Sequence, residues 1–237
     1  MTSNDVAPVH EKENNSSYSE GLPKTGGHVD DSPQSPPAAP GRRVALPSPL
    51  GLIAFATSIF VISVFGLRAR GVQSPNVMVG VLLFFGGLSQ FVAGIMEFVT
   101  GNTFGATVFS SYAALNFSYG LIYLPGSGIM AAYMDSTGAV TNEFNQAVAI
   151  YMWAWFIVSC LFTVSSYKST WVIFIDLVMV DILLLLLACG FMVGVQGLLT
   201  AGYSFGIVVC FLTYYAGCTA MWADTPTPVQ LPPFAMV

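Results

Sequence analysis

Charged residues are scarce in this sequence of 237 residues: Asp, Glu, Lys and Arg together make up 8% of it, against 54% hydrophobic residues. Ten of the nineteen charged side chains lie before residue 44, so residues 44–237 contain only nine. An ordinary soluble domain is about 25% charged. The shortage therefore excludes a soluble enzyme, and the lack of a basic run excludes a nucleic-acid binder.

Histidine and cysteine are also few, and neither is arranged as a set of ligands. His10 and His28 both lie near the N-terminus, and the four cysteines fall in apolar runs without a CxxC pair: Cys160, Cys189, Cys210 and Cys218. Isolated buried thiols behave as small hydrophobic side chains. The sequence predicts no metal site, no cofactor and no disulfide framework. It also lacks a nucleophile triad and a phosphate-binding loop, so we do not expect an enzyme.

Long apolar runs are what the sequence has in abundance. Each of six runs is close to the roughly 20 residues that a helix needs to cross about 30 Å of hydrocarbon. Their bounds are 50–67, 77–99, 104–124, 146–164, 171–193 and 199–222. A single chain crosses lipid in the form of helices, because lipid offers no partner to an unpaired backbone group. We therefore predict an all-α, multi-pass integral membrane protein: a six-transmembrane-helix bundle.

The regions outside these runs have a different composition. Residues 1–45 are rich in Pro, Ser, Asn and charge, which is typical of a disordered tail. Residues 46–222 form the predicted six-helix domain, and residues 223–237 form a short, proline-rich C-terminal tail. Six spans place both termini on one side of the membrane, and Arg42, Arg43 and Lys168 lie on that side. The positive-inside rule then places both termini in the cytoplasm.

Polar side chains within the apolar runs mark a candidate pathway, because such groups are costly in lipid. No Lys or Arg occurs within any run, so a transported anion has to be held by hydroxyl and amide groups. The hydroxyl candidates include Ser58 and Tyr112, although about half of such hydroxyls are expected only to bond their own helix. Gln90 and Asn116 are less easily satisfied, and we expect them to face the interior of the bundle.

Three carboxyl groups also lie within the predicted spans: Glu97, Asp176 and Asp181. A low dielectric disfavours the ionised form of a carboxyl group, so these residues are candidates for proton handling or for hydrogen bonds between helices. Asp181 lies deeper in its span and is the stronger proton-handling candidate. Glu97 lies near a span end, where a structural role is equally open. Asp176 and Asp181 are about 140° apart around a helix and do not form a dyad.

Three short motifs carry a resemblance to a known family. The stretch LPSPLGL (46–52) contains Pro47, Pro49 and Gly51, FFGGLSQFVAG spans 84–94, and GNTFG (101–105) contains Asn102 and Thr103. Together they resemble the acetate uptake transporter family, which includes bacterial succinate–acetate permeases and fungal acetate permease-like proteins. The resemblance covers residues 44–222, and the long polar leader is similar to the fungal branch. Leu46 departs from the family, which usually has Asn at that position.

The resemblance implies a six-helix protomer that assembles as a homohexamer with a pore in each subunit. Members of the family pass acetate and other short carboxylates, as proton-coupled carriers or as channels, and some fungal relatives are linked to ammonia export. On the matching positions, Phe55, Tyr112 and an aliphatic residue near Val180 are expected to form a narrow apolar constriction. Ser58 is expected to present a hydroxyl to the substrate.

We therefore predict a plasma-membrane transporter or channel for acetate or a similar small monocarboxylate, with proton linkage. Its expected partners are the carboxylate or carboxylic acid, protons and the lipid bilayer. Two alternatives within transport stay open, namely another small weak acid and ammonia-linked export. A third alternative is a membrane sensor that keeps the fold and does not conduct.

Overall fold

The computed structural model describes residues 44–223 and 225–236 of the chain. Within them, the secondary structure is helical, with two short 3₁₀ turns and two isolated β-bridges but no strand. This confirms the predicted helical class. The six long helices are α1 (Ser48–Gly66), α2 (Asn76–Thr100), α3 (Thr103–Tyr123), α4 (Asn142–Ser165), α5 (Trp171–Val193) and α6 (Gln196–Ala223). Residues 1–43 of the predicted tail lie outside the described residues.

Five of these helices are long and apolar enough to cross a membrane, which marks the chain as an integral membrane protein. The exception is α3, which is 21 residues long but rich in Ser, Thr, Tyr and Asn. By length and composition the described helices thus provide five candidate spans, one fewer than predicted. The number of membrane spans stays a prediction.

The polar face of α3 is buried in protein. Tyr112, Asn116 and Tyr119 are spaced four and three residues apart, so they share one face of the helix, and each is 3% exposed or less. This face packs into the interior formed by α1, α2, α4 and α5. Its polar groups can therefore find partners within the protein.

Local sequence sets the ends of several helices. Pro49 lies in the first turn of α1, where its missing N–H costs no hydrogen bond. Asn102 caps α3 by accepting a hydrogen bond from the backbone N–H of Gly105. In the chain between these two residues, α2 ends at Thr100 and is followed by Gly101, whose φ of 83° would be strained for a residue with a side chain. The LPSPLGL and GNTFG motifs of the sequence thus lie where helices begin and end.

A π-helical segment interrupts α2 at Val81–Ser89. It contains Gly86, which packs directly against Ser58 on α1 and Asn116 on α3. A Cβ atom at Gly86 would overlap both side chains. This close approach brings α1, α2 and α3 together at mid-bundle.

The last described residues turn back onto the bundle. The backbone N–H of Met236 donates to the carbonyl of Ser169, and the N–H of Trp171 donates to the carbonyl of Phe234. The hydroxyl of Tyr215 on α6 donates to the carbonyl of Pro232. The C-terminal segment therefore lies beside the turn between α4 and α5.

Candidate functional site

Two cavities lie inside the helix bundle and meet at the same two aromatic rings. The first cavity, called the vestibule here, has about 620 Å³ of empty space and the second about 430 Å³, both counted together with the space at their open mouths. Phe55 from α1 and Tyr112 from α3 line both cavities. These two side chains therefore separate the cavities.

The separating layer is a compact aromatic contact. The rings of Phe55 and Tyr112 stack with their centroids 4.9 Å apart and an interplanar angle of 26°. Phe162 from α4 meets the edge of Tyr112, with centroids 5.5 Å apart. Val180 from α5 is buried and lines the second cavity together with Phe55 and Tyr112. The structure thus brings the three residues of the expected constriction together and adds Phe162.

Sequence reasoning missed Phe162, since nothing distinguishes it from the other aromatic residues of α4. It also missed Ser159, which lies one turn earlier on the same helix. The hydroxyl oxygens of Tyr112 and Ser159 are 3.0 Å apart and form a buried hydrogen bond. This bond holds the ring of Tyr112 across the space between the cavities.

The vestibule combines an apolar wall with a few polar groups. The polar residues that line it are Ser48, Gln90, Asn102, Ser169, Asp176 and Thr213. None of its lining residues is Lys, Arg or His. The second cavity is more apolar, and the only polar atoms among its lining side chains, apart from methionine sulfur, are the hydroxyls of Tyr112 and Tyr119.

Gln90 carries an unused hydrogen-bond donor in the wall of the vestibule. Its side-chain oxygen accepts a bond of 3.1 Å from Nδ2 of Asn116, while its Nε2 atom is buried without a partner. Asn116 itself does not line the vestibule and is also within bonding distance of the carbonyls of Tyr112 and Gly86. The contact with Asn116 therefore fixes the Gln90 amide with its oxygen as the acceptor and leaves Nε2 without a partner among the described residues.

Ser58 lies outside the linings of both cavities. Its hydroxyl donates to the carbonyl of Ala54 at 3.0 Å, and the side chain is fully buried against Gly86. This placement favours a packing role over contact with a substrate.

Glu97 also lies outside both linings and joins three helix ends. Its Oε1 accepts a bond of 2.6 Å from the hydroxyl of Ser48, and its Oε2 accepts a bond of 2.8 Å from Nδ2 of Asn102. Since Asn102 in turn caps α3 through Gly105, the carboxylate ties the start of α1 and the start of α3 to the end of α2. Pro47 and Thr103 flank this cluster in the chain.

Of the two carboxyl groups on α5, the structure places Asp176 in the vestibule and Asp181 outside both cavities. Asp181 accepts a bond of 2.7 Å from the hydroxyl of Thr163 on α4. The hydroxyl of Thr213 on α6 lies 3.0 and 2.9 Å from the two oxygens of Asp176. The helical spacing could have predicted that Asp176 lies near the constriction, because Asp176 precedes Val180 by four residues and shares its face of the helix.

The site joins a partly polar cavity to a more apolar one. It offers hydrogen-bond donors in a vestibule, followed by an apolar constriction. Among residues 44–223 and 225–236, no group of three His, Cys, Asp or Glu side chains is placed to hold a metal ion. A solute with a polar head and a small apolar body fits these surroundings.

Comparisons with known proteins agree with this picture. The chain is 35% identical to ammonia transport outward protein 2 of Saccharomyces cerevisiae over 84% of its own length and 69% of the relative. It is 30% identical to acetate permease A of Emericella nidulans over 73% of its length and 60% of that protein. The fold is similar to the structure of the bacterial acetate channel SatP, with a TM-score of 0.70 at 21% identity, over 80% of this chain and 99% of the channel.

A sequence profile of the family described as GPR1/FUN34/yaaH matches residues 30–237. This match confirms the resemblance predicted from the LPSPLGL, FFGGLSQFVAG and GNTFG motifs. With most of the chain matched, the protein belongs to the GPR1/FUN34/yaaH family.

Proposed function

We propose that the protein is a membrane transporter or channel for acetate or a similar small monocarboxylate. The observation that carries the proposal is the pair of cavities that meet at the Phe55–Tyr112 stack. The names of an acetate permease among its relatives and of an acetate channel with its fold support the same substrate class.

The proposed pathway begins in the vestibule. There the free N–H₂ group of Gln90, oriented by Asn116, would donate to a carboxylate oxygen. Phe55, Tyr112 and Val180 would then admit the small apolar body of the substrate and exclude larger solutes. Because no lining residue of the vestibule is a cation, the substrate would be held weakly enough to leave again.

We further propose that α3 crosses the membrane as the sixth span. Its 21 residues correspond to about 32 Å of helix, enough for the hydrocarbon core, and its polar face is buried in protein. Six spans place residues 46–222 in the membrane domain, with the 1–45 tail and the short 223–237 tail on one side. On that side Arg42, Arg43 and Lys168 outnumber Arg68 and Arg70 at the opposite surface, which favours the cytoplasm for it. Ser48, Asn102 and Ser169 would then open the vestibule to the cytoplasm.

A homohexamer in the plasma membrane with proton linkage is part of the same proposal and rests on the family resemblance. The exposed apolar side chains along α2 and α4, such as Phe84 and Leu161, are available to lipid or to neighbouring protomers. Chemical cross-linking in native membranes, followed by mass measurement, would establish the number of protomers.

The proposal is tested by uptake of radiolabelled acetate into vesicles that contain the purified full chain, against protein-free vesicles. Acetate uptake that depends on the protein and is reduced by excess unlabelled acetate is the expected result. The absence of such uptake at both pH 5 and pH 7 would overturn acetate as the substrate.

Ammonia-linked export is a second candidate, favoured by the 35% identity to ammonia transport outward protein 2. The same vesicles, loaded with a pH indicator and exposed to an ammonium gradient, report ammonia movement separately from acetate. Vesicles that move neither solute would support the non-conducting sensor.

A further inference from the structure

Asp176 is a buried carboxyl group whose only side-chain hydrogen-bond partner among the described residues is a hydroxyl. It is 4% exposed and lies in the wall of the vestibule, one helical turn from Val180 of the constriction. Thr213, which is fully buried, places its hydroxyl oxygen within 3.0 Å of both oxygens of Asp176. The proposed pathway, which uses the aromatic constriction and the Gln90 amide, gives this pair no role.

The number of hydrogens available at the Thr213 hydroxyl indicates whether Asp176 is protonated or ionised. The Thr213 hydroxyl has one hydrogen, yet three acceptor oxygens surround it: the two of Asp176 and the carbonyl of Val209 at 2.9 Å. If Asp176 is protonated, it donates to Thr213, and Thr213 donates to Val209, so that every hydrogen has an acceptor. If Asp176 is ionised, a single hydroxyl hydrogen has to serve a buried negative charge and a carbonyl.

The surroundings of Asp176 supply no charge that would stabilise its ionised form. Among the described residues, the titratable groups near it are Cys210 on α6 and Tyr112 on α3, and neither is a cation. The vestibule residues from α1 and α2 are uncharged, α4 contributes none to the lining, and Lys168 in the turn before α5 is exposed. A buried carboxylate without a charged or multiple-donor partner is strongly disfavoured.

We propose that Asp176 holds a proton in the empty vestibule and binds a monocarboxylate substrate by sharing that proton with it. The Asp176 O–H would turn from Thr213 to a substrate oxygen, and the Thr213 hydroxyl would remain bonded to Val209. A carboxyl and a carboxylate joined by one hydrogen carry a single negative charge between them. This inference rests on the proposed function and identifies the group that makes substrate binding depend on a proton.

The position of Asp176 suits this role. It lines the same cavity as Gln90, whose free N–H₂ group is a second donor for the substrate. Asp176 and Gln90 together would orient a carboxylate with its apolar body toward Phe55 and Tyr112. Asp181, the carboxyl group favoured by the sequence alone, does not line the cavity and cannot make this contact.

A purely structural role is the competing explanation, since the Asp176–Thr213 bond also links α5 to α6. Asp176→Asn separates the two explanations. The amide keeps a donor for Thr213 and nearly the same shape, but it cannot bind or release a proton. Asp181→Asn is the matched control, because it neutralises a carboxyl group on the same helix outside the cavity.

The first readout is the infrared difference spectrum of the full chain in vesicles near pH 7, before and after addition of acetate labelled with carbon-13. We expect a protonated-carboxyl band in the wild type that shifts with acetate, is missing from Asp176→Asn and persists in Asp181→Asn. A spectrum in which Asp176→Asn keeps the whole band, or in which acetate leaves it unchanged, would overturn the inference.

The second readout is protein-dependent acetate uptake between pH 5 and pH 9, a range that extends above the pH of the infrared measurement. For the wild type and Asp181→Asn we expect uptake to fall about tenfold per pH unit once the proton is lost from the shared pair, the limit for one titrating group. Asp176→Asn should transport with a flatter profile. If the wild type takes up acetate and Asp176→Asn shows the same dependence of uptake on pH, this inference is overturned but the proposed function is retained. If the wild type takes up no acetate, both the proposed function and this inference are overturned.

Discussion

Phe55 and Tyr112 stack with their ring centroids 4.9 Å apart at the point where the vestibule and the second cavity meet. One ring comes from α1 and the other from α3, so the constriction depends on how these helices pack. Gly86 of α2 permits that packing, because its missing side chain makes room for Ser58 and Asn116. Gly86 therefore supports the packing of the two helices that carry the aromatic rings.

Shortening Phe55 should widen the constriction. We expect Phe55→Ala to admit longer monocarboxylates such as butyrate, and to lower the stability of the fold by about 3–5 kcal/mol. Competition of unlabelled carboxylates of increasing chain length against labelled acetate measures the change. Phe60→Ala is the matched control, because Phe60 lies on the same helix but is 41% exposed. An unchanged chain-length preference in Phe55→Ala would remove Phe55 from the constriction.

Removing the hydroxyl of Tyr112 should affect stability more than selectivity. Tyr112→Phe keeps the stacked ring but loses the buried bond to Ser159, which is worth about 1 kcal/mol. Ser159→Ala removes the same bond from the other side. Thermal unfolding of both single variants and the double variant should show that the two losses do not add. Full additivity would show that the bond contributes nothing.

A side chain at Gly86 should disturb the contact between α1, α2 and α3. We expect Gly86→Ala to destabilise the protein by about 1–3 kcal/mol, since the added methyl group overlaps Ser58 and Asn116. Gly80→Ala on the same helix is the control, because no atom outside its helix lies within 4 Å of the added methyl. Melting temperatures that fall equally in both variants would contradict the close approach at Gly86.

Glu97 should act as a structural tie between helix ends. In Glu97→Gln the N–H₂ group can donate to the hydroxyl oxygen of Ser48 and the amide oxygen can accept from Asn102, so both contacts remain but lose the strength that the carboxylate charge gives them, at a cost of about 1–3 kcal/mol. Glu143→Gln, in the exposed first turn of α4, is the control. Thermal unfolding checks the difference between the two variants. If acetate uptake loses its pH dependence while stability is retained, Glu97 handles protons instead.

The loop between α3 and α4 contains a turn that should depend on pH. Hydrogen bonds from the hydroxyl of Thr137, and from the backbone N–H groups of Ala139 and Thr137, hold the pKa of Asp135 below its ordinary value. A lowered folded-state pKa means that this stabilisation is present above the ordinary pKa and is lost as pH falls through the lowered one. In the wild type, backbone hydrogen exchange at residues 137–139, corrected for intrinsic rates, should therefore accelerate as the pH falls through the lowered pKa of Asp135. Asp135→Ala, which has no side-chain acceptor for these bonds, should already exchange quickly at neutral pH, and slow exchange in that variant would contradict the prediction.

Much of the fold could be predicted because membrane helices are dictated by local composition. Long apolar runs with few charged residues predicted each long helix, and the described helices begin and end within a few residues of the runs. Pro49 and Asn102 belong to short motifs whose local chemistry starts a helix. The run 104–124 predicted α3 as well, although this helix is too polar to count as a candidate membrane span by hydropathy.

The sequence by itself determined the membrane class, the helical segments and, through three motifs, the family. Only the tertiary structure decided which carboxyl group of α5 lies in the vestibule, that Glu97 joins helix ends, and that Phe162 and Ser159 support Tyr112. The physical reason is that helical periodicity shows which residues share a face, as Asp176 and Val180 do. It does not show which neighbouring helix, cavity or lipid that face meets, because this depends on contacts between segments far apart in the chain.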